Sequence, residues 1–243
     1  MNRPWFETFF GEDYSRYDHH PDTDAEVELI LRHLAHAQTV ADVGCGYGRH
    51  SAALANSGKT MLGIDLSPEL LEQASQQTAE DDSGTPYYAR GDMRCLPLAD
   101  ESIDGVVSMY SSLGYFDDED ENYAVVAEFG RVLKAGGRAV IETVNRDYVL
   151  RLFQSKAWYT RSGLTVLESR TFDPVASRSE VDVTVIQGAS RRTYRHSIRL
   201  YTATELSMLL ASVGLVVTRV FGSFDEDPYD WDQPHMILVA EKV

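Results

Sequence analysis

Three glycines at alternate positions, Gly44, Gly46 and Gly48, stand between the apolar run Thr39–Val43 and the helical pattern Arg49–Asn56. A glycine-rich turn that leaves a buried strand and enters a helix constrains this chain of 243 residues more than any bulk property does. Residues without Cβ reach positive φ and let a ligand approach backbone N–H groups at a helix start. The following sequence keeps the rhythm. Thr60–Ile64 reads as a strand, Ser67-Pro68 starts a helix through Leu70, Leu71 and Ala74, and Tyr87–Ala89 is a short strand. Ile103–Met109 has the unbroken apolar run of a central strand. Glu119–Leu133 is helical up to a stop at Gly136-Gly137, and Arg138–Val144 is the next strand. Such alternation implies right-handed crossovers and a parallel sheet covered on both faces.

The rhythm breaks at about residue 146. Leu164–Phe172, Glu180–Ile186 and Thr193–Leu200 read as three strands without an intervening helix. In the last, Tyr194, His196, Ile198 and Leu200 alternate with Arg195, Ser197 and Arg199, as on a half-covered sheet. Thr202 and Glu205 then form a capping box before a helix through Leu206, Leu209, Leu210 and Val213. Leu215–Val220 and Met236–Ala240 close the chain as strands. Thr23-Asp24-Ala25-Glu26 reads as a second capping box, opening a helix through Val27, Ile30, Leu31 and Leu34. The expected architecture is one α/β domain over residues 1–243. It has a Rossmann-like, seven-stranded, mostly parallel sheet with helices on both faces. Residues 146–200 are inserted as a small antiparallel β cap. Residues 1–22 carry Trp5, Phe6, Phe9, Phe10, Tyr14 and Tyr17, too many aromatics for a disordered tail.

Composition excludes some partners. Lys+Arg 22 against Asp+Glu 38 gives a net charge of −16, which repels nucleic acid and anionic membrane alike. Cys45 and Cys95 fit free thiols in a reducing compartment. The chain begins without an apolar signal core and has no membrane-length apolar run, so cytoplasmic residence is expected. His19-His20-Pro21-Asp22 has adjacent histidines and no partner cluster, so no metal is expected.

Asp65 falls just past the second strand, where a carboxylate can accept both hydroxyls of a ribose. A dinucleotide fingerprint places its third glycine one residue later than Gly48, where this chain has Arg49. Asp42 adds negative charge that a pyrophosphate would oppose and an amino-acid ammonium would favour. The pattern fits an adenosine ligand with an amino-acid part. It disfavours one alternative, a nicotinamide-dependent oxidoreductase, and leaves open another, a non-catalytic protein that binds such a ligand.

The whole series Val40–Gly48, Gly63–Ser67, Gly91-Asp92-Met93, Asp104–Met109 and Leu133–Gly137 occurs in order. It resembles the class I S-adenosylmethionine-dependent methyltransferases of small-molecule type over roughly residues 39–144. The resemblance implies S-adenosylmethionine as donor and S-adenosylhomocysteine as product. It places Asp42, Gly44, Cys45, Gly46 and Gly48 near the methionine part, Asp65 on the ribose and Leu66 beside the adenine. It also implies that Asp92 accepts from the adenine amino group, that Met93 packs on the ring, and that Met109 ends the strand facing the methyl group. Residues Phe9–Tyr17, with Tyr14 and Tyr17, resemble a lid over the cofactor. Methyl transfer by direct displacement needs alignment above all, which can supply roughly 7–11 kcal/mol. No residue is therefore required as a base. Tyr115, Arg146 and His196, with Tyr110 and Asn145, are the candidates near the ligand crevice. The acceptor is expected to be a small molecule, methylated on nitrogen or oxygen. The cap, with Tyr110–Phe116, is expected to wall its pocket.

Overall fold

A computed structural model of the chain describes residues 4–79 and 84–243. The elements run α1 (Phe6–Phe9), α2 (Glu12–Tyr17), α3 (Thr23–His33), β1 (Thr39–Val43), α4 (Arg49–Asn56), β2 (Thr60–Asp65), α5 (Pro68–Ala79), β3 (Tyr87–Arg90), β4 (Ile103–Ser108), α6 (Glu119–Val132) and β5 (Leu133–Val144). They continue α7 (Arg146–Arg151), β6 (Lys156–Arg161), β7 (Leu164–Asp173), β8 (Arg178–Gln187), β9 (Ser190–Arg199), α8 (Ala203–Ala211), β10 (Leu215–Phe221) and β11 (His235–Lys242).

The main sheet has the order β10-β11-β5-β4-β1-β2-β3. Pairings from β5 to β3 are parallel, and β11 runs antiparallel to both β5 and β10. Its apolar strands alternate between two cores. In β11, Met236, Leu238 and Ala240 join the core with α6 and α8, while Ile237 and Val239 join the core with α3 and α4. Strands buried on both faces read as continuous apolar runs, which is why β4 and β11 look unpatterned in sequence. Phe129 of α6 and Leu29 of α3 are fully buried, each contributing about 1.5–3 kcal/mol before entropy. The strand order reverses between β1 and β4, and a sheet of this kind opens a crevice at such a point.

Local signals decide some boundaries and fail at others. Thr202 and Glu205 form the expected capping box at α8. Thr23 and Glu26 do not. Asp22 is the N-cap of α3, Thr23 donates to the His20 carbonyl oxygen, and Glu26 turns away to Arg49 and His50. A buried ion pair outcompetes the local cap. Helix α6 ends at Val132, before the expected glycine stop, because Leu133 already pairs with Ile103 in the sheet.

Residues 156–199 form a separate antiparallel sheet, β6-β7-β8-β9. The expectation of three strands in the insertion is corrected to four, preceded by the short helix α7. Strand β6 was missed because it lies at an edge, with Trp158 turned to solvent, and carries only a weak alternation. The apolar face of this sheet, formed by Leu164, Val166, Val181, Val183 and Val185, is covered by Phe9 and Tyr17 of the N-terminal helices. Among the described residues, no helix is long and apolar enough to cross a membrane.

Candidate active site

A cavity opens at the carboxyl ends of β1, β2, β3 and β4. Its floor is the glycine loop. Gly44 and Gly48 have φ of 77° and 79°, a region L side chains rarely adopt. A Cβ on Gly44 would lie 2.7 Å from Ser112 Oγ, and one on Gly48 would collide with the Tyr88 hydroxyl. The space over Gly46 is open to 4 Å, so a ligand can meet the bare backbone there. The Gly44 and Cys45 amides donate to Ile64 O at 2.8 and 3.1 Å, pinning the loop to β2.

Asp65 stands where β2 ends. Its two carboxylate oxygens accept from the amides of Gly46 and Ser67, each at 2.9 Å. Burial pushes its carboxyl above the usual carboxylate range, and the amide hydrogen bonds only partly offset this. Leu66, Met93 and Met109 line the same cavity. Asp92 lines it too, but its carboxylate is taken by Arg94, whose Nη2 lies at 2.6 Å and whose guanidinium stacks 4.4 Å from the Phe116 ring. The Arg94 hydrogen bonds hold the Asp92 carboxyl below its usual range.

The roof comes from the N-terminus. Phe6, Phe10 and Tyr14 face the cavity, and the Trp5 indole donates to Tyr115 O at 3.3 Å. Tyr115 stacks on Phe10 at 5.7 Å and 20°. The segment is latched by buried Asp13, which accepts from Arg192 Nη2 at 2.5 Å and from the Tyr194 hydroxyl at 2.7 Å. Burial pushes the Asp13 carboxyl up, but these hydrogen bonds outweigh it and leave it below the usual range.

The far wall carries backbone strain. Tyr110 and Ser111 both have left-handed φ, 59° and 58°. Such residues cost of order 1–3 kcal/mol each unless their surroundings hold them. Here buried Glu142 accepts from Tyr110 N at 2.6 Å, and Ser111 Oγ accepts from Val144 N at 2.8 Å. Burial pushes the hydroxyls of Tyr14, Tyr47, Tyr110 and Tyr115 upward, Tyr110 to about 12.

Several expected site residues lie elsewhere. Asp42 is fully buried under α4, accepting from Ser51 Oγ at 2.7 Å, because its side chain leaves β1 on the helix side. Gly48 packs on Tyr88 rather than on the cavity. Tyr17 is buried against the second sheet beside Tyr159. Arg146 starts α7 and donates to Ser177 Oγ at 2.8 Å, and Asn145 caps that helix. His196 is buried against Phe9, its ring pushed down to about 4 by desolvation, so it is neutral at pH 7. No side chain of residues 146–200 lines the cavity. The second sheet acts through intermediaries, the roof it holds and Arg178, which donates to Phe116 O at 2.7 Å and Tyr115 O at 3.3 Å.

Sequence reasoning missed Asp18, His20, Tyr47, Arg49 and His50, all of which line the cavity. The adjacent histidines and the Arg-His pair after Gly48 were visible, but only the fold brings residues 18–20 onto the loop at 47–50.

Residues 40–137 match the family model described as a methyltransferase domain. The cypemycin N-terminal methyltransferase of a Streptomyces species is 27% identical over 209 residues, covering 84% of this chain and 83% of that protein. A dTDP-3-amino-3,4,6-trideoxy-alpha-D-glucopyranose N,N-dimethyltransferase of Streptomyces venezuelae is 28% identical, with coverage of 80% and 82%. The solved structure of the CcbJ methyltransferase from Streptomyces caelestis matches the fold with a TM-score of 0.88, at 19% identity and 100% coverage of both chains. Glycine loop, strand order and matched domain agree: residues 40–137 form a methyltransferase domain, and the chain as a whole is similar to S-adenosylmethionine-dependent methyltransferases.

Proposed function

We propose that this enzyme methylates the nitrogen of a small amine-bearing molecule, with both ligands bound in the cavity under the N-terminal roof. The cavity suits the donor: bare backbone at Gly46, a carboxylate at Asp65 for the ribose hydroxyls, and Leu66 and Met93 for the adenine. Asp18, Asp65 and four tyrosines suit its positive sulfonium. When bound, the donor supplies an activated methyl group. The protein's share is alignment. Gly44, Cys45 and Met109 set the floor, while Tyr110, Tyr115 and Phe10 bound the space left for an acceptor.

The nitrogen assignment is carried by the two relatives above, one named an N,N-dimethyltransferase and the other an N-terminal methyltransferase. Burial holds Tyr14, Tyr47, Tyr110 and Tyr115 protonated, so none serves as a base near neutral pH. A hydroxyl acceptor needs a base, whereas a neutral amine brings its own lone pair. The closed roof favours a small acceptor over a duplex or a folded protein. Incubation with isotope-labelled donor and paired acceptors, amino sugars and short peptides against their hydroxy counterparts, tests this. Label on nitrogen is expected; label found only on oxygen would overturn the assignment.

A further inference from the structure

The cavity wall holds two buried side-chain nitrogens without a partner among the described residues. Arg49 engages Thr23 and Glu26 through Nη1, and its Nη2 is buried without a partner among the described residues. His20 turns Nε2 to Asp18 at 2.5 Å, and its Nδ1 is likewise buried and unpartnered. The His20 side chain is 6% exposed and that of Arg49 13%. Natural structures rarely leave buried donors unpaired, so two in one wall point to a ligand.

The two groups form one unit. Both pack on the Tyr110 ring, His20 edge-on at 4.1 Å and the Arg49 guanidinium carbon at 5.6 Å from its centroid. Thr23 ties them together, its hydroxyl donating to His20 O and accepting from Arg49. Asp18 orients the imidazole, so Nδ1 is the atom left over, and Tyr47 of the glycine loop reaches Asp18 at 3.4 Å. The unit therefore stands against the glycine loop. An imidazole held between the Asp18 carboxylate and a second carboxylate donates to both, and together with the guanidinium nitrogen it matches the two oxygens of that second group.

We propose that Arg49 Nη2 and His20 Nδ1 bind the α-carboxylate of the methionine part of the donor. This rests on the reading that the cavity takes the donor. Asp18 and Tyr110 act here as positioning residues, holding the two donors in place.

Calorimetry with three ligands tests it without turnover. S-adenosylhomocysteine has the carboxylate, its methyl ester keeps the ammonium but neutralises the carboxylate, and methylthioadenosine lacks both. The wild type should prefer the acid over the ester by about thirtyfold, the scale of a charge-assisted pair. His20→Leu and Arg49→Lys should each cut that preference to about threefold, while methylthioadenosine affinity stays within about twofold. Arg49→Lys keeps a cation for Glu26, and methylthioadenosine binding reports an intact nucleoside site in either variant. Variants that weaken all three ligands alike, or leave the preference for the acid untouched, would overturn the assignment. A wild type that binds none of the three would instead remove the reading of the cavity as donor site.

Discussion

The floor and the roof of the cavity are built by different physics. The floor is backbone held to backbone: the Gly44 and Cys45 amides on Ile64 O, and the Gly46 and Ser67 amides on Asp65. It stands on a sheet buried on both faces. The roof consists of helices of 4 and 6 residues, without side-chain caps. Segments that short have no stability of their own in water. They persist through side-chain links: Phe9 and Tyr17 on the second sheet, Asp13 on Arg192 and Tyr194, and Trp5 on Tyr115. Backbone held on a closed core keeps its shape, while a roof attached by a few side chains is expected to open at lower cost.

The sharpest way to break the contrast is Arg178→Ala. This buried guanidinium joins the second sheet to the Phe116 and Tyr115 carbonyls. Its removal should cost about 2–4 kcal/mol, because buried carbonyls lose their donors. Denaturant titration should show a lower midpoint at unchanged slope, with affinity for S-adenosylhomocysteine kept within about threefold. Equal loss at both readouts would mean that floor and roof are one unit. Next in size, Asp13→Asn should cost about 1–2 kcal/mol and speed amide exchange in residues 5–17 but not in β1 and β4. Exchange rising throughout the sheet would contradict the latch.

Acid separates two further groups. His196 is desolvated and its folded value, about 4, lies below 6.5, so stability should fall as pH drops from 6.5 toward 4 and then level off. Burial works against the Glu26 carboxylate, but hydrogen bonds from His50 and Arg49 bring it down to about 2, so its contribution is present above 4.5 and lost as pH falls toward 2. Melting temperatures followed across this range should show both phases. The smallest effect expected is that of His196→Leu, which should remove the upper phase alone and leave turnover unchanged. A large loss of turnover would return His196 to the reaction.

What was legible in the sequence follows from how local its cause is. The glycine turn, the apolar runs of β1 and β4, and the Thr202 capping box are written in neighbouring residues, and they hold. Thr23 and Glu26 have the same spacing, yet the partner of Glu26 is His50, 24 positions away. Asp42 and Tyr17 belong to motifs, but which face each side chain takes depends on α4 and on the second sheet. The Asp13 latch spans 179 positions and the Arg178 clamp 62, so no window of sequence could contain either.

The most direct test of the central claim is a crystal structure with S-adenosylhomocysteine. The account expects its ribose hydroxyls within about 3 Å of the Asp65 carboxylate, its adenine between Leu66 and Met93, and its amino-acid part over Gly44–Gly46 beneath the closed roof. Product bound outside this cavity, or with its ribose turned away from Asp65, would contradict it.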